Sequence, residues 1–187
     1  MMKKWIAEKE LKGFEERYRY DVGYMRHMLK FSPDAFFKFA KLMDASAHRE
    51  TAPVNASFAA KLVGAVAEDC GPCVQLVADM ATEAGVAADQ VEAVLTRNHN
   101  AMFSDTALGF CFADAVVSEA SYLDEARNDV RAEWGESGVI DLTLGLQLGR
   151  MYPMIKKALG FGQLCQRVDL DGAFVNVVRT ESEKQVA

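Results

Sequence analysis

The sequence contains little proline, cysteine or histidine, and it has no long hydrophobic run. Its 187 residues include four prolines, four cysteines and three histidines. Four cysteines are too few for a small secreted domain held together by disulfides, and no apolar stretch reaches the length of a membrane span. Lys3 and Lys4 are not followed by the apolar core of a signal peptide. These absences predict a cytoplasmic protein with no membrane partner.

The charge is unevenly distributed along the chain. Residues 1–50 carry 11 basic and 8 acidic side chains, whereas residues 51–150 carry 5 basic and 15 acidic ones. Such an acidic middle segment repels a phosphate backbone, so we expect no nucleic acid among the partners. The chain also has no glycine-rich phosphate loop, no dinucleotide-binding fingerprint and no His-Glu-x-x-His zinc motif. We therefore expect no organic cofactor and no metal.

Apolar residues recur at helical spacing through most of the chain, and half of the residues are apolar. One predicted helix begins near Ser32-Pro33-Asp34. Five more cover residues 56–67, 71–84, 89–97, 106–119 and 122–134, and Gly85 ends the helix 71–84. We predict an all-α fold in a single domain. It would comprise an N-terminal helical region (1–50), a helical core (51–160) and a C-terminal arm or tail (161–187).

The apolar stretch after the predicted helix 122–134 allows two interpretations. The pattern breaks at residues 136–138, and apolar residues then alternate over residues 140–148, which is typical of a strand. The whole stretch of roughly twenty residues is too long for an ordinary strand. A buried helix explains it better, with Gly145 and Gly149 allowing close packing. The only other strand that the sequence suggests lies at residues 173–178.

The tetrapeptide Cys70-Gly71-Pro72-Cys73 carries the clearest chemical signal. Two thiols two residues apart can close a small disulfide, and Pro72 suits the first turn of a helix. The positive end of a helix dipole lowers the pKa of a nearby cysteine and favours the reactive thiolate. We interpret Cys70 and Cys73 as a redox dithiol, in which one thiolate attacks a peroxide or a disulfide and its neighbour resolves the intermediate.

Two other interpretations of this pair stay open. The first is a zinc site, which needs two further ligands. Cys111, Cys165 and His99 are single candidates without the paired spacing of a zinc site. The second is a pair of inert buried cysteines, which is also what we expect of Cys111 and Cys165 in their apolar surroundings.

An attacking thiol also needs a proton acceptor. Glu68 and Asp69 adjoin the pair in sequence and could serve, but a nearby carboxylate raises the pKa of a thiol. His99, in the polar segment 97–100, could reach the thiols if the helices fold back.

An aromatic stripe lies near the N-terminus and consists of Phe14, Tyr18, Tyr20 and Tyr24. We interpret this stripe as core or interface packing. The many amphipathic helices of a chain of this size also predict self-association.

The tetrapeptide is similar to the active site of thioredoxins, but only locally. An alanine-rich stretch precedes it where a thioredoxin has a buried strand, and no proline occurs between Pro72 and Pro153. A longer stretch, residues 59–74, resembles the core of the alkylhydroperoxidase D / carboxymuconolactone decarboxylase superfamily. In that family an apolar helix runs into Cys-x-x-Cys and a second helix follows, and here Gly85 and the helix after it continue the same order.

This resemblance extends over about residues 52–159, and it implies an all-α oligomer, often a trimer or hexamer, with peroxidase or disulfide-reductase activity. By analogy Cys73 would attack and Cys70 would resolve. The family's proton relay uses a histidine and a glutamate at the positions that are Val77 and Phe58 here, so this relay does not carry over.

Two function hypotheses follow. The first is a thiol-dependent oxidoreductase in antioxidant defence, a homo-oligomer (dimer, trimer or hexamer) that reduces peroxides or exchanges disulfides and is itself reduced by a thiol protein or a small thiol. The alternative is a non-catalytic helical oligomer, in which the pair is a structural disulfide, a redox sensor or a remnant.

Overall fold

The structure is a computed structural model that describes residues 2–162 and 167–179. This part of the chain is mostly helical, as the sequence predicts, and two short strands form a hairpin. The elements are α1 (Met2–Tyr18), α2 (Gly23–Phe31), α3 (Pro33–Ala40), α4 (Leu42–Ala47), α5 (Val54–Ala67), α6 (Gly71–Glu83), α7 (Ala88–Leu95), α8 (Ser104–Val117), α9 (Leu123–Ala158), β1 (Arg167–Leu170) and β2 (Ala173–Asn176). None of the described helices has the length and apolar character needed to cross a membrane. Cys165 lies outside the described residues, as does the predicted C-terminal arm from residue 180 onward.

Helix α5 lies at the centre of the larger core, where it packs against α8 and α9. Small side chains let the backbones of α5 and α9 approach closely. A Cβ added at Gly149 would lie 2.5 Å from the carbonyl oxygen of Lys61, and one at Gly145 would lie 3.4 Å from that of Ser57. The prediction that these glycines allow close packing is confirmed, with Gly149 making the closer approach.

One non-helical residue interrupts α9. Gly135 has φ 70° and ψ −172°, a conformation that favours glycine, and it separates the charged first part of the helix from the apolar second part. The sequence predicts this break at residues 136–138, and the structure places it one residue earlier. The apolar stretch then continues as helix to Ala158, so the helical interpretation is confirmed and the strand interpretation is wrong.

The two strands form an antiparallel hairpin that packs mainly against α6. The turn falls at Asp171 and Gly172, which both have positive φ. Val168, Leu170 and Val175 are buried in the larger core. The strand expected at residues 173–178 is present as β2 over residues 173–176. Its partner β1 is not among the predicted elements, although Val168 and Leu170 alternate there with polar residues.

The N-terminal helices build a second, smaller core over the start of α6. Its buried residues are Ala7, Leu11, Tyr20, Val22, Tyr24, Met25, Leu29, Phe36, Phe39, Cys70 and Cys73. The predicted helical region 1–50 therefore covers both cysteines.

A buried carboxylate attaches the segment before α5 to α9. Asp141 is 0% exposed, and its two oxygens accept hydrogen bonds from the backbone N–H groups of Glu50, Thr51 and Ala52 at 2.8–3.0 Å. Burial alone would raise the pKa of Asp141, but these donors outweigh burial and hold the pKa below its ordinary value. The ionised Asp141 thus fixes the point at which the chain enters its central helix.

Candidate redox site

The cysteine pair lies at the junction of α5 and α6. Asp69 adopts a left-handed conformation (φ 56°) just after α5, which turns the chain sharply. Cys70 is the N-cap residue of α6, and Pro72 lies in its first turn. The two sulfurs are at disulfide distance, with Cα atoms 5.3 Å apart. The predicted disulfide-forming geometry of Cys70 and Cys73 is therefore confirmed.

Both cysteines are buried, with 2% exposure for Cys70 and 3% for Cys73. The backbone N–H groups of Cys73 and Val74 both donate to the carbonyl oxygen of Cys70, which completes the first turn of α6. The pair thus lies in the first turn of a 13-residue helix, where the helix dipole favours a negative charge on sulfur.

A tyrosine hydroxyl contacts one of the two sulfurs. Tyr20 follows α1, and its Oη lies 3.5 Å from Cys73 Sγ. Because a disulfide sulfur carries no proton, the hydroxyl is the donor. Burial raises the pKa of Tyr20 to about 12, although an interaction with Tyr24 lowers it somewhat. The phenol therefore keeps its proton at neutral pH and is available as a hydrogen-bond donor.

A buried ammonium group lies behind this tyrosine. Lys156, on α9, is 0% exposed, and its Nζ has no hydrogen-bond partner among the described residues. The Nζ lies 4.3 Å from the ring centroid of Tyr20 and 5.8 Å from that of Tyr24. Burial lowers the pKa of Lys156, and the charge of Asp21 opposes this effect. Cation–π contacts with the two rings offset part of the cost of burying the charge.

Cys73 also lines a cavity of about 520 Å³, a size typical of small-molecule sites. Residues of α2, α5, α6 and α9 form most of its wall, and most of them are apolar. Met43, Ala47 and Arg49 line the cavity too and are exposed, so the cavity opens to solvent beside α4. Cys70 is not among the lining residues. Of the two sulfurs, that of Cys73 therefore faces the cavity.

The positions of the absent proton relay also lie in this cavity. Both Phe58 and Val77 are among its lining residues, together with Cys73. Both positions are apolar in the sequence, and both side chains line the cavity that Cys73 also lines.

The other predicted proton acceptors lie elsewhere. Glu68 accepts a hydrogen bond from Arg150 at 2.7 Å, and Asp69 forms an ion pair with Arg179. His99 is exposed in a 3-10 turn, with its ring packed edge-on against Phe110. None of the three residues lines the cavity. Their contacts supply no route from a carboxylate or an imidazole to the Cys73 sulfur.

Tyr20 and Lys156 are the site residues that the sequence analysis does not identify as such. Tyr20 belongs to the aromatic stripe, which the residue pattern assigns to core or interface packing, and its ring packs against Phe14. Its polar contact with Cys73 spans 53 positions, and no local pattern indicates it. Lys156 is the first of two consecutive lysines near the end of the apolar stretch, where lysine side chains are usually exposed.

The remaining thiol of the described residues is unsuited to catalysis. Cys111 is half-buried, and burial, followed by the charges of Asp114 and Asp129, raises its pKa. These features agree with the inert role expected of Cys111. Across residues 2–162 and 167–179, no three His, Cys, Asp or Glu side chains lie close enough together to hold a metal ion.

Comparisons with protein-family models, with curated proteins and with solved structures find no match for this chain. The resemblance to the alkylhydroperoxidase D superfamily therefore stays a prediction from the residues around the cysteine pair.

Proposed function

We propose that this protein is a thiol-dependent oxidoreductase in which Cys70 and Cys73 cycle between dithiol and disulfide. The observation that carries this proposal is the position of the pair: the sulfurs are at disulfide distance, and Cys73 faces a cavity large enough for a substrate. The substrates would be peroxides or disulfides, with a role in antioxidant defence in the cytoplasm.

The chemistry with a hydroperoxide takes two steps in the protein. The Cys73 thiolate attacks the terminal oxygen of ROOH, so an S–O bond forms, the O–O bond breaks and the released alkoxide takes up a proton to become the alcohol. The Cys70 thiolate then attacks the sulfenic sulfur of Cys73, which closes the disulfide and releases the hydroxyl group as water after it takes up a proton. An external dithiol, either a thiol protein or a small molecule, returns the two electrons by thiol–disulfide exchange.

Two features of the structure support Cys73 as the attacking residue. Its sulfur faces the cavity, whereas Cys70 is shielded from it. The Tyr20 hydroxyl lies beside Cys73 and would donate to its thiolate, adding to the effect of the helix N-terminus. Tyr20 takes no proton from the thiol, because its raised pKa keeps it protonated; it stabilises the charge instead.

The superfamily resemblance is part of this proposal. The mostly helical fold and the order of α5, the cysteine pair and α6 support it. By the same resemblance we expect a homo-oligomer, either a dimer, a trimer or a hexamer. Size-exclusion chromatography with light scattering would measure the subunit number directly.

The proposed activity is tested by reacting the reduced protein with hydrogen peroxide and with cumene hydroperoxide. Thiols are counted over time, and the products are mapped by peptide mass. We expect rapid loss of two thiols and a Cys70–Cys73 disulfide in the wild type, and a trapped sulfenic acid on Cys73 in the Cys70→Ser variant. Cys73→Ser should react no faster than an ordinary free thiol. Oxidation of the wild type at that slow rate would refute the peroxidase activity.

Two observations favour the alternative, a structural disulfide without catalysis. Both sulfurs are almost fully buried, and Phe58 and Val77 provide no proton relay. A structural bond would resist reduction and would stabilise the fold by about 2–4 kcal/mol. A reduction potential below about −300 mV, together with slow peroxide reaction of the reduced protein, would favour this alternative.

A further inference from the structure

The cavity beside Cys73 is apolar, but two cations line it without a matching negative charge. Lys61, on α5, is half-buried, and Arg49 is exposed where the cavity meets solvent. None of the described lining residues is acidic. The Nη1 of Arg49 donates to the backbone carbonyl of Ala52 at 3.0 Å, and that group carries no net charge. The described lining therefore carries two positive charges and no negative one. The buried carboxylate that the structure places beside this segment, Asp141, is taken up by the backbone N–H groups of residues 50–52.

Lys61 is held in place although it has no ionic partner within residues 2–162 and 167–179. Its Nζ lies 4.7 Å from the ring centroid of Phe58, and the carbons of its side chain pass along Gly145. Burial lowers the pKa of Lys61, and the charge of Arg49 lowers it further. A cation that has lost water and faces a second cation is stabilised when an anion binds beside it.

We propose that the cavity binds an apolar molecule with one carboxylate group, which contacts Lys61 and Arg49 while the apolar chain extends toward Cys73. This inference rests on the proposed function for the reacting end of the ligand, where the chain carries a hydroperoxide to the Cys73 sulfur. The apolar wall excludes a strongly polar ligand body, because burying unpaired polar groups is unfavourable. The two cations are compatible with an amphipathic molecule of this kind, and they favour a carboxylate over a neutral head group.

Binding is measured first on the oxidised protein, so that the result does not depend on thiol chemistry. Calorimetric titration compares decanoate with decanol, which have the same chain and differ in charge. We expect decanoate to bind about tenfold more tightly, the effect of one charge-assisted hydrogen bond. Equal affinities, or no binding of either compound, would overturn the proposal.

A matched pair of lysine variants then locates the carboxylate. Lys30 lies 5.1 Å from the ring centroid of Phe31, as Lys61 lies over Phe58, but Lys30 does not line the cavity. Lys61→Gln should weaken the preference for decanoate, because only Arg49 then remains to contact the carboxylate, and Lys30→Gln should retain the full preference. Lys61→Met preserves the apolar stem and should behave as Lys61→Gln does, which guards against a folding defect in one variant. Equal losses in the Lys30 and Lys61 variants would overturn the assignment.

Kinetics distinguish the failure of this inference from the failure of the proposed function. With a fatty-acid hydroperoxide, Lys61→Gln should lower kcat/KM about tenfold. With the neutral cumene hydroperoxide, which has no carboxylate, the same variant should lose less, so the ratio of the two kcat/KM values falls. Lys30→Gln should keep the wild-type ratio. If the wild type reduces both peroxides and the variant affects neither, the oxidoreductase proposal stands and the carboxylate site is refuted. If the wild type reduces neither peroxide while decanoate still binds selectively, the carboxylate site stands and the redox function fails.

Discussion

Removal of the Tyr20 hydroxyl should make the Cys73 thiol less acidic. In the structure this hydroxyl lies 3.5 Å from Cys73 Sγ, and both residues are buried. Burial raises the pKa of Tyr20 to about 12, so the O–H bond is intact at neutral pH and can donate to a thiolate in the reduced protein. Tyr20→Phe removes this donor and keeps the ring, which packs edge-on against Phe14.

The size of the effect follows from the strength of the hydrogen bond. A hydrogen bond to a charged group contributes about 1.5–3 kcal/mol, and the long contact between oxygen and the large sulfur atom places this one at the lower end. One pKa unit corresponds to about 1.4 kcal/mol. We therefore expect Tyr20→Phe to raise the pKa of Cys73 by about one unit and to slow its reaction with peroxide at neutral pH by up to about tenfold.

The assay follows the rate of iodoacetamide alkylation against pH, in a background where the other cysteines are replaced by serine. Tyr18→Phe is the matched control. Tyr18 belongs to the same aromatic stripe and also packs against Phe14, but its hydroxyl donates to Glu83 instead of to sulfur. The control should leave the pKa of Cys73 unchanged. If Tyr20→Phe and Tyr18→Phe give the same pKa as the parent protein, Tyr20 does not stabilise the thiolate.

Three further predictions, which use four substitutions, concern the packing and the buried charges and are measured by denaturant unfolding. Gly149→Ala places a methyl group 2.5 Å from a backbone oxygen of α5 and should reduce stability by about 1–3 kcal/mol. Gly145→Ala meets ordinary contacts and should be neutral or stabilise the fold by up to about 1 kcal/mol. Equal effects of the two substitutions would contradict the close approach at Gly149. Asp141→Asn should lose about 2–3 kcal/mol at neutral pH. Because the pKa of Asp141 is lowered in the folded state, its stabilisation is complete above the ordinary pKa of about 3.9 and is lost as the pH falls through the folded-state pKa. If Asp141→Asn loses as much stability in acid as the wild type does, this explanation is contradicted. Because the folded pKa of Lys156 is lowered, the unfolded chain binds more protons above that pKa, and wild-type stability should rise with pH up to about 10.4. Lys156→Met should lack this rise, and equal pH slopes in the two proteins would refute the lowered pKa of Lys156.

Local patterns predicted the parts of the fold that local forces determine. The spacing of apolar residues identified α5, α6, α7 and α8 to within about two residues at each end. The break in α9 was placed one residue too late because two glycines, Gly135 and Gly138, lie close together there. Only the backbone conformation distinguishes them, since Gly135 has the positive φ that interrupts a helix.

The candidate site was predictable only where its residues are neighbours in sequence. Cys70 and Cys73 carry their own signal, because their spacing fits a disulfide at a helix N-terminus. Tyr20, in the segment after α1, and Lys156, on α9, reach the site from positions far away in sequence, through the packing of the second core. Contacts of that kind depend on how the N-terminal helices fold over α6, and a single sequence has no periodicity that encodes them.

The absent proton relay and the apolar cavity have the same physical origin. A histidine at position 77 and a glutamate at position 58 would place a polar pair in the wall of the cavity, next to the thiol. Such a pair would need water or a hydrogen-bond partner when an apolar ligand binds, and an apolar chain provides neither. With Val77 and Phe58 the wall can contact an apolar chain without that penalty. The thiolate must then be stabilised by other groups. These are the N-terminus of α6 and the hydroxyl of Tyr20, which itself lines the cavity, with Lys156 behind the Tyr20 ring.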